Sequence, residues 1–155
     1  MLGLLSGCSG EVFETIGNVV DVGQEERLPG LIAIRLPADA TVLTSVGEDR
    51  MYVCNGYTMS LQTLPGGDLN ATVRTLSGYE ANRLTVVKSR CGDHDRYDWV
   101  WVAAGECGDV LCRAAVLDDG NYHYALTAVA DENVMPTDAW NGLFSSFCLE
   151  TNEDV

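Results

Sequence analysis

The chain has 155 residues, of which 46% are apolar, enough for one compact domain with its own core and too few for a second full domain. Nine Lys and Arg stand against 23 Asp and Glu, and the resulting formal charge of −14 repels nucleic-acid backbones and anionic membrane surfaces, so no nucleic-acid partner is expected. With charged residues at 21% and only 4 prolines, the composition is too apolar and too patterned for a disordered polymer.

In chain order, the first informative stretch is residues 1–8, Met-Leu-Gly-Leu-Leu-Ser-Gly-Cys, apolar and uncharged and followed by Ser9, Gly10 and Glu11. It reads as the end of an export signal peptide whose basic start is missing. Leu5-Ser6-Gly7-Cys8 resembles the bacterial lipobox, and that resemblance makes Cys8 the lipidation site and the first residue of the mature chain. The alternative is a short buried strand ending in an ordinary cysteine. Residues 9–29 are then partly a tether and partly a first pairing segment, since Phe13, Ile16, Val19 and Val20 are too apolar for a pure linker. No segment of the sequence approaches the ~20 consecutive apolar residues of a membrane helix.

Residues 30–36 predict a strand that Pro37 stops, because proline cannot donate to a sheet ladder. Residues 50–54 and 57–64 flank Asn55-Gly56 and predict a hairpin closed by a type I′ turn. Asp68 is placed to cap a helix over 69–77, with Leu69, Val73 and Leu76 on one face and Gly78 to end it. Residues 83–90, 96–104, 110–117 and 122–129 read as further strands, Asp119-Gly120 marking a tight connection. Within 97–104, Tyr97, Trp99, Trp101 and Ala103 alternate with Val100, Val102 and Ala104, so both faces of that strand call for cover. Pro136 opens a last helix in which Trp140, Leu143, Phe144 and Phe147 form a stripe at i, i+3, i+4 and i+7. These elements predict an α+β fold: an antiparallel meander of about six strands with helices on its faces. The globular domain is expected over 30–150, with 151–155 as an acidic tail.

The order of elements, together with residues 14–19, 36–40, 74–79, 117–124 and 144–147, resembles a family of uncharacterised lipoproteins of anaerobic Gram-positive bacteria. The tyrosine-rich strand, loop and closing Ser-Ser-Phe helix resemble the α/β/α sandwich of the PsbP photosystem subunits and of a nuclear import factor that binds Ran. The resemblance spans about residues 11–150. It implies a PsbP-like scaffold and no particular chemistry.

Six cysteines are present, and lipidation of Cys8 leaves Cys54, Cys91, Cys107, Cys112 and Cys148, an odd number. If residues 108–111 form a hairpin loop, Cys107 and Cys112 face each other within disulfide reach. Against this, cysteines in an anaerobe serve as small core hydrophobes. Cys91 and His94, with Cys107 and Cys112 beyond, are donors of the right kind for zinc, but the spacings lack paired CxxC knuckles. Asp93, Asp95 and Asp98 offer oxygen ligands without EF-hand order, and a solvated acidic turn is the better account of them. His94 and His123 are the two histidines available to any general base, and His123, between Tyr122 and Tyr124 on a strand, reads first as a structural residue. There is no GxGxxG, GxxxxGKS or GxSxG run. No catalytic residue, metal or cofactor is therefore expected.

The sequence thus points to a non-catalytic, lipid-anchored protein on the extracytoplasmic face of the cell membrane. It would reach the membrane through Cys8 and bind an envelope protein or a small ligand. The rival is an envelope enzyme or metal-dependent factor centred on His94 and its neighbouring aspartates.

Overall fold

A computed structural model describes residues 11–16 and 31–150. Cys8, most of the expected tether and the acidic tail lie outside the described residues. The chain forms strands β1 (Glu11–Ile16), β2 (Leu31–Pro37), β3 (Thr41–Val46), β4 (Asp49–Cys54) and β5 (Tyr57–Pro65), then helix α1 (Leu69–Ser77) and a 3₁₀ turn (Ala81–Arg83). Strands β6 (Val87–Cys91), β7 (His94–Ala104), β8 (Asp109–Asp118) and β9 (Tyr122–Ala130), helix α2 (Thr137–Ser145) and strand β10 (Cys148–Glu150) complete it.

Two antiparallel sheets result: a small one in the order β1-β2-β10 and a seven-stranded one in the order β3-β4-β5-β9-β8-β7-β6. This overturns the expected six-stranded meander with helices on its faces, and with it the PsbP-like α/β/α sandwich. The large sheet is two meanders, β3–β5 and β6–β9, and α1 carries the chain from the middle of the sheet to its far edge, so that β5 pairs with β9 instead of β6. Two elements explain the discrepancy. The strand at 31–37 is drawn into the small sheet because Ile32, Ile34 and Leu36 recur every second residue and pack as one row onto the larger sheet. The segment Thr41–Val46, β-branched and set between a Pro37-Ala38-Asp39 turn and Gly47, takes the edge position instead.

The inner face of the large sheet carries Tyr52, Met59, Leu61, Leu117, Tyr124 and Leu126, closed over by β2 together with Trp140, Leu143, Phe144 and Phe147. The outer face is covered over its β7–β8–β9 half, where Val73 of α1 packs on Trp99, Ala114, Val116 and Ala125 with Leu69, Leu76, Leu84 and Val86 around them. Alternate residues of β8 are therefore buried on both sides, as the run from Ala114 to Leu117 shows. The expected strand over 83–90 begins only at Val87, because Leu84 and Val86 are used in this outer cluster. Cover for both faces of β7 is only half realised: Trp99 is buried on the outer face, but Val100 and Val102, on the inner face with Arg96, remain 56% and 51% exposed.

Local chemistry sets the element ends. The Asp68 carboxylate accepts the Ala71 N–H at 3.1 Å, and Gly78, at φ +81°, donates its N–H to the Arg74 carbonyl at 2.8 Å. The hairpin at Asn55-Gly56 forms with Cys54 opposite Tyr57, but only Gly56 has positive φ, so the turn is not type I′. Pro136 sits one residue ahead of α2 as its N-cap. No basic residue occupies the last turn of α2; Arg96 of β7 supplies the cation instead, donating to the carbonyls of Phe144 at 3.0 Å and Phe147 at 3.4 Å.

Candidate functional site

His123 lies on the outer face of β9, only 1% exposed, beneath α1. Thr72 sits on the same helix face as Leu69 and Leu76, which brings its hydroxyl to 2.6 Å from His123 Nδ1. On the other side of the ring, His123 Nε2 is 3.6 Å from Asp118 Oδ2, while Asp118 Oδ1 accepts the Gly120 N–H at 2.8 Å. A hollow of about 210 Å³ opens beside this line, bounded by Leu64, Pro65, Gly66, Asp68, Ala71, Thr72 and Thr75. Gly66 is needed there because a Cβ would meet the Asn121 backbone at 2.8 Å. Hydroxyl, imidazole and carboxylate stand in the order used by nucleophilic enzymes. Thr72 is itself only 3% exposed, however, and its hydroxyl is engaged by the ring. The arrangement fastens α1 to the sheet by satisfying a buried imidazole.

Two of the three aspartates around His94, Asp95 and Asp98, are engaged by cations. His94 opens β7 opposite Cys91 across the Gly92-Asp93 turn. Asp95 contacts Arg90 at 2.8 Å and Lys88 at 3.7 Å, and the Arg90 hydrogen bond holds its carboxyl below the usual carboxylate range, with Lys88 adding to the effect. Asp98 takes two hydrogen bonds from Arg96, at 2.9 and 3.0 Å, and lies 4.0 Å from Arg113. Among the described residues no three His, Cys, Asp or Glu side chains converge as a metal site would require.

The loop between β7 and β8 is residues 105–108 rather than 108–111, so Cys107 is exposed within it while Cys112 is buried in β8 opposite Trp101. Both are free thiols, as are Cys54, Cys91 and Cys148. Burial pushes the thiols of Cys112 and Cys148 up, with the Cys91 thiol and Glu150 adding to the rise at Cys148. Burial likewise raises Cys54 to about 11, against the opposing Tyr57 hydroxyl. Protonated thiols of this kind are weak nucleophiles and weak metal ligands. The Tyr57 hydroxyl is near enough to influence Cys54, yet makes no well-formed hydrogen bond of its own.

Among the described residues, the β3 side of the large sheet remains open. All six residues of β3 are exposed, including Val42, Leu43 and Val46, and a bulge interrupts the pairing with β4 between Val42 and Thr44. On the outer face α1 meets β5 at its Leu64–Pro65 end. A shallow hollow of about 250 Å³ lies among Thr44, Val46, Asp49, Arg50, Met51, Ser60 and Gln62. Asp49 accepts the Thr63 N–H at 3.2 Å, Arg50 donates to the Gly47 and Asp49 carbonyls, and the hydroxyls of Thr44 and Ser60, the Gln62 amide and the Met51 thioether complete the lining. Neither β3 nor Thr72 is singled out by the motifs of the sequence. The signals were present all the same, in the β-branched run between two turns and in the i+3 spacing of Thr72 from Leu69.

No protein-family model and no curated protein matches the chain. Among solved structures, the chain is similar to a protein from Bacteroides thetaiotaomicron VPI-5482, crystallised at 1.50 Å resolution, with a TM-score of 0.53 and 11% identity over 78% of this chain. The match spans 46% of that protein, less than half its length, and the likeness is one of fold alone. No helix among the described residues is long and apolar enough to cross a membrane.

Proposed function

We propose that the chain is a non-catalytic binding module of the cell envelope, held at the extracytoplasmic face of the membrane by lipid on Cys8. The observation that carries the binding reading is the uncovered β3–β5 side of the large sheet. Its hollow is shallow, is rimmed by Val46 and Met51, and has no imidazole among its lining groups. A catalytic centre needs a base within reach of a nucleophile and a site for the reacting atom, and both histidines lie elsewhere. The anchor is read from Leu5-Ser6-Gly7-Cys8, and one lipidated cysteine with a soluble domain behind it suits a surface receptor or accessory subunit.

Native expression of the full precursor, followed by mass spectrometry of the membrane fraction and crosslinked capture, tests the proposal. The expected result is a diacylglyceryl mass on Cys8 and a partner recovered in stoichiometric amount. An unmodified Cys8 in a soluble product, or turnover of an envelope substrate by the purified chain, would overturn it.

A further inference from the structure

The two edges of the large sheet differ. β6 carries Lys88 and Arg90, with side chains 62% and 61% exposed, and Lys88 is the only lysine in the sequence. Charged side chains, lysine above all, are the usual protection of an edge against strand addition. β3, the other edge, reads Thr-Val-Leu-Thr-Ser-Val and carries no charge. Its outward backbone groups face no other strand among the described residues. In a chain of formal charge −14, six consecutive uncharged, exposed residues at an edge are the exception.

Resting on the binding reading above, we infer that β3 is a docking edge that takes an extended polypeptide segment as an eighth strand, and that the segment is uncharged at its centre and flanked by Lys or Arg. Main-chain hydrogen bonds would give the affinity, and alternate side chains would give the selectivity. Those on the outer side would lie beside Thr44 and Val46, where the hollow begins, and those on the inner side beside Val42.

Charge decides between this partner and a second copy of the chain. Asp39 precedes β3, and Glu48 and Asp49 follow it, with Arg50 tied to the Gly47 and Asp49 carbonyls at the same end. Antiparallel pairing of β3 with itself sets Thr41 against Val46 of the second copy, which draws the Asp39 of one chain toward the Glu48 and Asp49 of the other. Like charges close together oppose that pairing, on top of the repulsion between two chains of −14. A segment with basic ends meets acids at both ends of the strand instead. The bulge at Leu43 limits the addition to short runs on either side of it, which favours a brief linear segment over a long strand.

The test uses the full chain with two synthetic octapeptides, Lys-Thr-Val-Thr-Val-Thr-Val-Lys and its counterpart with Glu at both ends, read by amide hydrogen exchange. The lysine-ended peptide is expected to slow exchange across Thr41–Val46 by ~10-fold or more, to leave β6 unchanged and to lose its effect as salt rises. The glutamate-ended peptide is expected to have no effect. Thr44→Lys, which places a charge on the edge without breaking the backbone, is expected to abolish the protection; Leu43→Pro is a second variant that removes a donor. Equal protection by both peptides, no protection by either, or protection that survives Thr44→Lys would overturn the inference. A dimer in equilibrium sedimentation that Thr44→Lys dissociates would overturn it in favour of a second copy. If the envelope partner is captured equally well by Thr44→Lys, the edge is refuted while the binding module stands; failure of lipidation and capture together removes the broader reading whatever the peptides do.

Discussion

Cys54 shows how a single buried group ties this core to pH. It is buried at the end of β4, and burial lifts its thiol from an ordinary 9.0 to about 11. The folded state therefore favours the protonated thiol, and the contribution is complete below about pH 9 and lost as pH rises through about 11. A shift of this size corresponds to about 2–3 kcal/mol. Tyr57 and Cys148 are raised as well and act in the same direction. Denaturation midpoints of the native chain are expected to fall between pH 9 and 11, and Cys54→Val, with no thiol to ionise, to fall less steeply. Identical slopes in the two proteins would show that Cys54 does not contribute. At this scale the sequence was informative about residue type and mute about partners. Asp95 and Asp98 were visible as an acidic run, but their engagement by Arg90 and Arg113 depends on register across β6, β7 and β8, whereas the Arg96–Asp98 pair is local to β7. His123 was legible as a structural residue. Its partner Thr72 is 51 positions away, a distance no local pattern spans.

Elements bounded by strong local chemistry were read nearly to the residue. Asp68 and Gly78 define α1, and the Asn55-Gly56 pair defines the β4–β5 hairpin even though its turn type differs. The stripe Trp140, Leu143, Phe144 and Phe147 was also visible, and all four are buried, although Phe147 lies beyond the helix end. Phe144 is fully buried, with the Arg113 guanidinium 4.2 Å above its ring and the Trp140 ring beside it. Phe144→Ala is expected to cost ~3–5 kcal/mol, from lost burial, the cavity left behind and a lost cation–π contact. A denaturation midpoint within error of the native value would show that α2 is peripheral. β10 escaped because it has no punctuation of its own. It has three residues and exists because Cys148 and Leu149 pair with Ala33 and Ile32 of a strand more than a hundred positions earlier.

For the whole molecule the decisive fact is the junction between the β3–β5 and β6–β9 meanders, since strand order is set by non-local pairing that periodicity does not encode. β5 and β9 pair over nine residues, from Tyr57 opposite Ala130 to Pro65 opposite Tyr122, and β9 pairs on its other side with β8. The centre of the sheet is thus bonded on both sides and buried on both faces around Ala114–Leu117 and Tyr124–Leu126, whereas β3 and β6 are bonded on one side and exposed. Local opening follows burial and pairing, so amides of β8 and β9 should exchange only through global unfolding, and those of β3 and β6 through local fraying. In the isolated chain the expected order of exchange is β3 and β6 first, then β4 and β7, with β8 and β9 last. Protection of β3 equal to that of β9 would mean that something already covers this edge, and the open side of the sheet would no longer be available to a partner.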